Sequence, residues 1–222
     1  MDTTINQFTG CRSSFLKLTI CLAFLGWGLM ISLQPPFYPY EAELKGANPE
    51  EYGSVFGAFY LGAFLTCPIA GAIGRKIGPK TLCIIGALIQ AVCTILFGFL
   101  DQIEDKDAFI GGSLTLRFLS GMAEAAAWNA GMTILVATYP AMKNTMMALT
   151  ETAFGTGMIF GPALGSFLYT EGGFGLPFWV VGGIFAAQTL TLLFAIPKSD
   201  FYTGKKKKYA YFFYFYTLII FR

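Results

Sequence analysis

Six predominantly apolar stretches constrain this chain more than any other feature. They lie at residues 15–35, 52–73, 80–100, 109–138, 146–169 and 177–196, and each is long enough to cross a hydrocarbon core about 30 Å thick as a helix of about 20 residues. The expected fold is therefore all-α and integral to a membrane, with six transmembrane helices. The first stretch is too long for a removed signal peptide and lacks a small-residue cleavage site, so it is expected to stay as helix one. Composition agrees: 55% of residues are hydrophobic and 13% are charged. A net charge of +2, with no stripe of cations interleaved with stacking aromatics, excludes a nucleic-acid partner. The partner that the composition demands is a lipid bilayer.

Orientation follows from the cations, which short loops retain on the cytoplasmic side. Arg12 and Lys17 open the first stretch, Arg75, Lys76 and Lys80 lie between the second and third, Lys143 follows the fourth and Lys198 the sixth. The opposite loops carry Glu41, Glu43, Glu50 and Glu51, then Asp101, Glu104, Asp105 and Asp107, against only Lys45 and Lys106. Both termini are expected in the cytoplasm, with residues 1–14 a cytoplasmic segment. Two groups of three helices suit an inverted repeat, although no sequence match between the halves is apparent.

The chain has no histidine, so a group that titrates near neutrality must be a carboxylate, lysine or cysteine in a perturbed setting. Cys11, Cys21, Cys67, Cys83 and Cys93 show no metal-ligand spacing and read as small packing residues, so no metal or cofactor is expected. With no HExxH, no GxSxG and no paired aspartates within the helices, there are no catalytic residues and an enzyme is not expected.

The fourth stretch holds both Arg117 and Glu124. Charges inside a membrane cost about 2.5 to 3.5 kcal/mol at a helix centre on insertion scales and mark functional sites by default. Seven residues at about 100° each return to nearly the same face, about 10 Å along the axis, so the two can share one polar cavity. The competing reading is that Arg117 only ties helices together and Glu124 only pairs with it. Trp128 and Asn129, one turn on, offer a ring face and an amide to a bound cation, or pack ordinarily. Glu151 is either a second intramembrane acid or an interfacial charge. Ser120, Gly121, Ala123, Ala125 to Ala127, Ala130 and Gly131 make this a central helix, because small residues let helices approach closely in lipid.

Arg117 with Gly121 resembles the RxxxG motif of helix four in the major facilitator superfamily. Gly157, Gly161, Pro162 and Gly165, one helix later, resemble that superfamily's antiporter motif, with Ala148 and Ser166 at its outer glycine positions. Further strings, among them Pro36-Phe37-Tyr38-Pro39 with Glu41 to Ala47 and Thr94 to Gly98, resemble the vesicular amine transporter family (solute carrier family 18), closest to its polyamine-transporting branch, over residues 15–197. The resemblance implies the N-terminal six-helix bundle of that fold, a 3+3 inverted repeat. It also implies proton-coupled antiport of an organic cation such as a polyamine or amine, with Arg117 in proton coupling; the reading of the residues adds Glu124 and Glu151 as candidates for proton coupling and Glu124, Trp128 and Asn129 as candidates at the substrate. The membrane would be vesicular or lysosomal, otherwise the plasma membrane. Helix one lacks the aspartate that monoamine members carry, which disfavours a monoamine. The cytoplasmic gate loop of the superfamily corresponds to Gly71, Arg75, Lys76, Gly78 and Lys80, with Arg75 in the place of its usual aspartate.

A transporter of this superfamily has two six-helix bundles, and this chain supplies one, at 15–196. Its partner is expected to be a missing C-terminal six-helix half or a second copy. The alternative is a non-transporting six-helix membrane protein that dimerises with or regulates a full-length transporter. Residues 197–222 form a basic aromatic tail, from Lys205 to Lys208 into a Tyr/Phe-rich run, which reads either as translated intron or downstream sequence or as an interfacial anchor.

Overall fold

A computed structural model describes residues 10–196, with side chains from Ser14 onward. The basic aromatic tail and most of the segment at 1–14 therefore lie outside the described residues. The described chain is helical throughout: α1 (Gly10–Ser32), α2 (Tyr38–Leu44), α3 (Pro49–Ile77), α4 (Pro79–Phe97), α5 (Lys106–Thr138), α6 (Lys143–Gly172) and α7 (Gly175–Ala195). All six expected stretches are helices. Four regions, Ser14–Ser32, Pro49–Ile77, Pro79–Gln102 and Gly175–Ala195, are long and apolar enough by length and composition to cross a membrane. The other two helices, α5 and α6, have 33 and 30 residues, ample for a span. They are less apolar because they carry the interior charges and the small residues of the helix contacts.

Helix pairing reveals the symmetry that the sequence hides. The closest pairs are α1 with α6, α3 with α5, α4 with α5, α1 with α7, and α4 with α7. Exchanging α1, α3 and α4 for α5, α6 and α7 maps this set onto itself: α1–α6 becomes α5–α3, α4–α5 becomes α7–α1, and α4–α7 is unchanged. The match holds to the residue. A Cβ on Gly157 of α6 would lie 2.2 Å from the Leu25 carbonyl oxygen and 2.9 Å from the Leu29 nitrogen. A Cβ on Gly62 of α3 would lie 2.3 Å from the Phe118 oxygen and 3.2 Å from the Met122 nitrogen. Gly28 meets the Phe154 oxygen as Gly121 meets that of Phe59. A Phe-x-x-Gly string, Phe59 to Gly62 and Phe154 to Gly157, therefore recurs in both halves. Each of α3 and α6 also carries an internal proline, Pro68 and Pro162. Three spans per half reverse direction, so the repeat is inverted.

The sequence reading missed α2, which stands in the acidic loop after α1. Pro39 sits in its first turn, where a missing N–H is harmless, and Glu41 is there too, favourable at the positive end of the helix. Tyr169 donates a short hydrogen bond to Glu41, Tyr52 donates to Glu43 (3.0 Å), and the Lys45 ammonium donates to the carbonyls of Asp101 (3.0 Å) and Ile103 (2.9 Å). Beneath α2, the rings of Tyr38, Phe97, Phe109, Phe174 and Phe178 meet with centroids 5.0 to 6.4 Å apart, the spacing of favourable edge and offset contacts. These rings close the acidic end of the bundle.

Asn48 caps α3 in a reciprocal box with Glu51. Glu51 also accepts from Lys106 at the start of α5 (2.9 Å), locking α3 to its partner. The Asn48 backbone N–H, then the Lys106 ammonium, hold the Glu51 carboxyl below its ordinary value of 4.5. A lowered folded-state value stabilises the fold above pH 4.5, and that stabilisation is lost as pH falls through the lower folded value. The thermal midpoint is therefore expected to drop below pH 4.5, and Glu51→Gln to flatten that acid limb in a melting series across pH.

Candidate functional site

The buried stripe of α5 builds the site. Phe109, Ser113, Arg117, Ser120 and Glu124 follow one another at intervals of three or four residues, which places them on one helix face, and all are buried. Glu124 lies near the middle of the 33-residue helix, 6% exposed. Its Oε2 accepts a hydrogen bond from Gln90 Nε2 of α4 (3.1 Å). Its other oxygen has no protein partner and is not fully enclosed.

Arg117, 5% exposed, does not pair with Glu124. Ion pairs form elsewhere, Lys45 with Asp101 and Lys106 with Glu51 and Asp107. The guanidinium lies instead between the rings of Phe59 (5.6 Å) and Phe97 (5.5 Å), and its Nε and Nη2 are buried without hydrogen-bond partners. It therefore bonds to no backbone carbonyl, contrary to the reading of Arg117 as a tie between helices.

Trp128 joins an aromatic cluster of Phe24 (4.5 Å), Trp27 (5.8 Å) and Phe154 (4.9 Å) contributed by α1 and α6. The indole N–H groups of Trp27 and Trp128 are both buried and unpartnered. Asn129 points elsewhere: its amide donates to the Ala125 carbonyl (2.8 Å) and approaches Cys67 Sγ of α3 (3.8 Å), so it does not share a face with Trp128. Glu151 is half-buried in α6. Gly157 and Gly161 press on the backbone of α1 and on Ser32, Gly165 presses on Leu33 just past its end, and Pro162 lies inside α6 between Gly161 and Gly165.

The expected gate loop is mostly helix. Gly71 to Ile77 continue α3, and only Gly78, at φ 88°, separates it from α4. Lys80 donates to the carbonyls of Leu193 (2.8 Å) and Ile196 (2.6 Å) at the end of α7, a favourable place for a cation. Arg75 and Lys76 occupy the last turn of α3 for the same reason.

Gln90, Trp27 and Phe24 were missed from sequence. Gln90 had a signal, because an amide in the middle of an apolar span needs an interior partner. The two rings on α1 had none, since aromatics in a membrane helix are ordinary.

A helical bundle that spans a membrane and encloses an unpaired carboxylate, an amide and an unpaired guanidinium has the make-up of a multi-pass membrane transport protein. Residues 18–212 match the Major Facilitator Superfamily, and the chain belongs to that family. It is 32% identical over 186 residues to the human MFS-type transporter SLC18B1, covering 84% of this chain and 41% of the relative. Multidrug resistance protein 2 of Bacillus subtilis is 29% identical, covering 83% of this chain and 43% of the relative. Quinolone resistance protein NorA of Staphylococcus aureus (strain MRSA252) is 27% identical, covering 86% and 47%. The chain thus spans less than half the length of these relatives. The crystal structure of the human organic anion transporter MFSD10 (TETRAN) superposes with a TM-score of 0.60 at 20% identity, covering 87% of this chain and 49% of that one. That likeness carries the fold alone.

Proposed function

We propose that this chain is the N-terminal half of a proton-coupled antiporter for an organic cation such as a polyamine or amine, in which proton and cation compete for Glu124. The observation that carries this reading is a buried carboxylate with one neutral partner, Gln90, and no cation in ion-pair range. A lone carboxylate in an apolar bundle is stable when protonated or when a cation neutralises it. Alternating between these two states is the chemistry of an antiporter. Trp128, one turn along the same helix face, brings the rings of Trp27 and Phe24 beside that carboxylate, and ring faces attract ammonium groups. Arg117, with no acceptor of its own, disfavours a second positive charge nearby and so sharpens the competition. Glu151 is assigned to proton entry along α6. With the basic loops in the cytoplasm, both termini are cytoplasmic and the acidic end faces a vesicular or lysosomal lumen, or the exterior.

Acid-loaded proteoliposomes of the complete two-bundle transporter that contains this half test the reading: labelled spermidine should accumulate only while the pH gradient lasts. Accumulation that survives collapse of the gradient would reject proton coupling. Trp128→Leu is expected to weaken spermidine binding about 2- to 30-fold, the equivalent of about 0.5 to 2 kcal/mol for a ring–cation contact, as read by equilibrium binding.

A further inference from the structure

Arg117 is buried with no counter-charge in contact, and the groups beside it share one property. One turn toward the acidic end, Ser113 is fully buried and its hydroxyl has no partner. The Tyr38 hydroxyl, at the start of α2, is likewise fully buried and unpartnered. It lies beside Ser113 and within electrostatic range of Arg117, without the geometry of a hydrogen bond to either. The Phe97 ring contacts both the guanidinium (5.5 Å) and the Tyr38 ring (5.6 Å), so it joins the two sides of the cluster. Tyr38 is held by stacking on Phe109 (5.8 Å) and by the ties that pin α2.

We propose that Arg117, Ser113 and Tyr38 form a binding site for a small inorganic anion, chloride being the simplest. A guanidinium donates and never accepts, and both hydroxyls are free to donate, so the cluster can present a positive charge and several N–H and O–H groups to one point. Burying a charge with no partner in contact is strongly unfavourable; Glu124 acts on Arg117 only at a distance, and a bound anion would supply the missing contact. Metal and organic cations are excluded, because the cluster holds no carboxylate: the acid of the same stripe, Glu124, is seven residues deeper and engaged by Gln90. The surrounding phenylalanines leave no polar lining for a large oxyanion. Arg117 keeps 5% of its surface exposed, which gives the ion a way in.

The site shares Arg117 with the proton-coupling reading, yet the two fail separately. A chain that binds chloride yet releases no proton on adding spermidine would uphold one and reject the other. The test is equilibrium dialysis of the full 222-residue chain in detergent against radioactive chloride, with gluconate holding ionic strength constant. Saturable binding displaced by bromide is expected. Tyr38→Phe with Ser113→Ala should weaken it about 5- to 150-fold, since each hydroxyl contributes about 0.5 to 1.5 kcal/mol, while the melting temperature reports that the double variant is folded. Absence of saturable chloride binding by the unmodified chain would overturn the proposal. So would equal affinity in a folded double variant.

Discussion

Glu124→Gln is expected to abolish pH-driven accumulation of an organic cation by a transporter that contains this half, while leaving the chain folded in the membrane. Glutamine has the shape of glutamate, and its carbonyl oxygen still accepts from Gln90 Nε2, so the α4–α5 contact survives. It can neither take up a proton nor carry the negative charge that a cation would neutralise. Removing a charge-assisted contact costs about 1.5 to 3 kcal/mol, which predicts spermidine binding weaker by roughly 10- to 150-fold. Uptake into acid-loaded proteoliposomes should fall to the level of empty liposomes. A folded Glu124→Gln chain with undiminished uptake would remove Glu124 from the mechanism.

Gly157→Leu has the second large effect, on assembly of the bundle. The obstacle to a side chain there is the α1 backbone itself, with the Leu25 oxygen 2.2 Å from the Cβ position. A flexible side chain can turn away, but a helix backbone can yield only if α1 and α6 separate. Overpacking costs typically 1 to 3 kcal/mol, and a rigid backbone obstacle puts this substitution at or above the upper end. Gly121→Leu should behave alike, because its Cβ would lie 2.0 Å from the Phe59 oxygen across the symmetry-related α3–α5 contact. Gly155→Leu is the control: it lies on α6 two residues away and meets nothing within 4 Å. Size-exclusion profiles after heating should show Gly157→Leu and Gly121→Leu aggregating at markedly lower temperature, and Gly155→Leu unchanged. Equal melting of all three would show that close helix contact is not what holds the halves together.

Much of this was legible in sequence, for physical reasons that particular residues illustrate. The six stretches were readable because a membrane span leaves a long apolar record. Arg117 and Glu124 stood out because charge is rare in such a record, and the structure does bury both. What failed was partnership. The seven-residue spacing put the two charges on one face, but the sequence did not show that Gln90 takes one carboxylate oxygen and that Phe59 and Phe97 flank the guanidinium. Asn129 was grouped with Trp128 because they are adjacent, yet neighbouring residues on a helix diverge by about 100°, and Asn129 turns to Cys67 instead. The inverted repeat was expected from the six spans but left no visible sequence match, because it is preserved in a few helix contacts, Gly157 with the backbone of Leu25 and Leu29 and Gly62 with that of Phe118 and Met122, while the apolar residues between them differ. The α2 helix was hidden because its 7 residues are too few to leave an apolar span, and its start is marked only by Pro39 in the first turn. Gly71 to Lys80 read as a gate loop through its resemblance to that of the superfamily, whereas all of it but Gly78 belongs to α3 and α4.

The account turns on competition between a proton and an organic cation at Glu124, and proton release measures that competition without requiring a complete translocation path. The purified chain, in lightly buffered detergent solution with a pH indicator, would be mixed with spermidine. Acidification that saturates with spermidine and disappears in Glu124→Gln is expected. No acidification by the unmodified chain, or the same acidification from a folded Glu124→Gln chain, would contradict it.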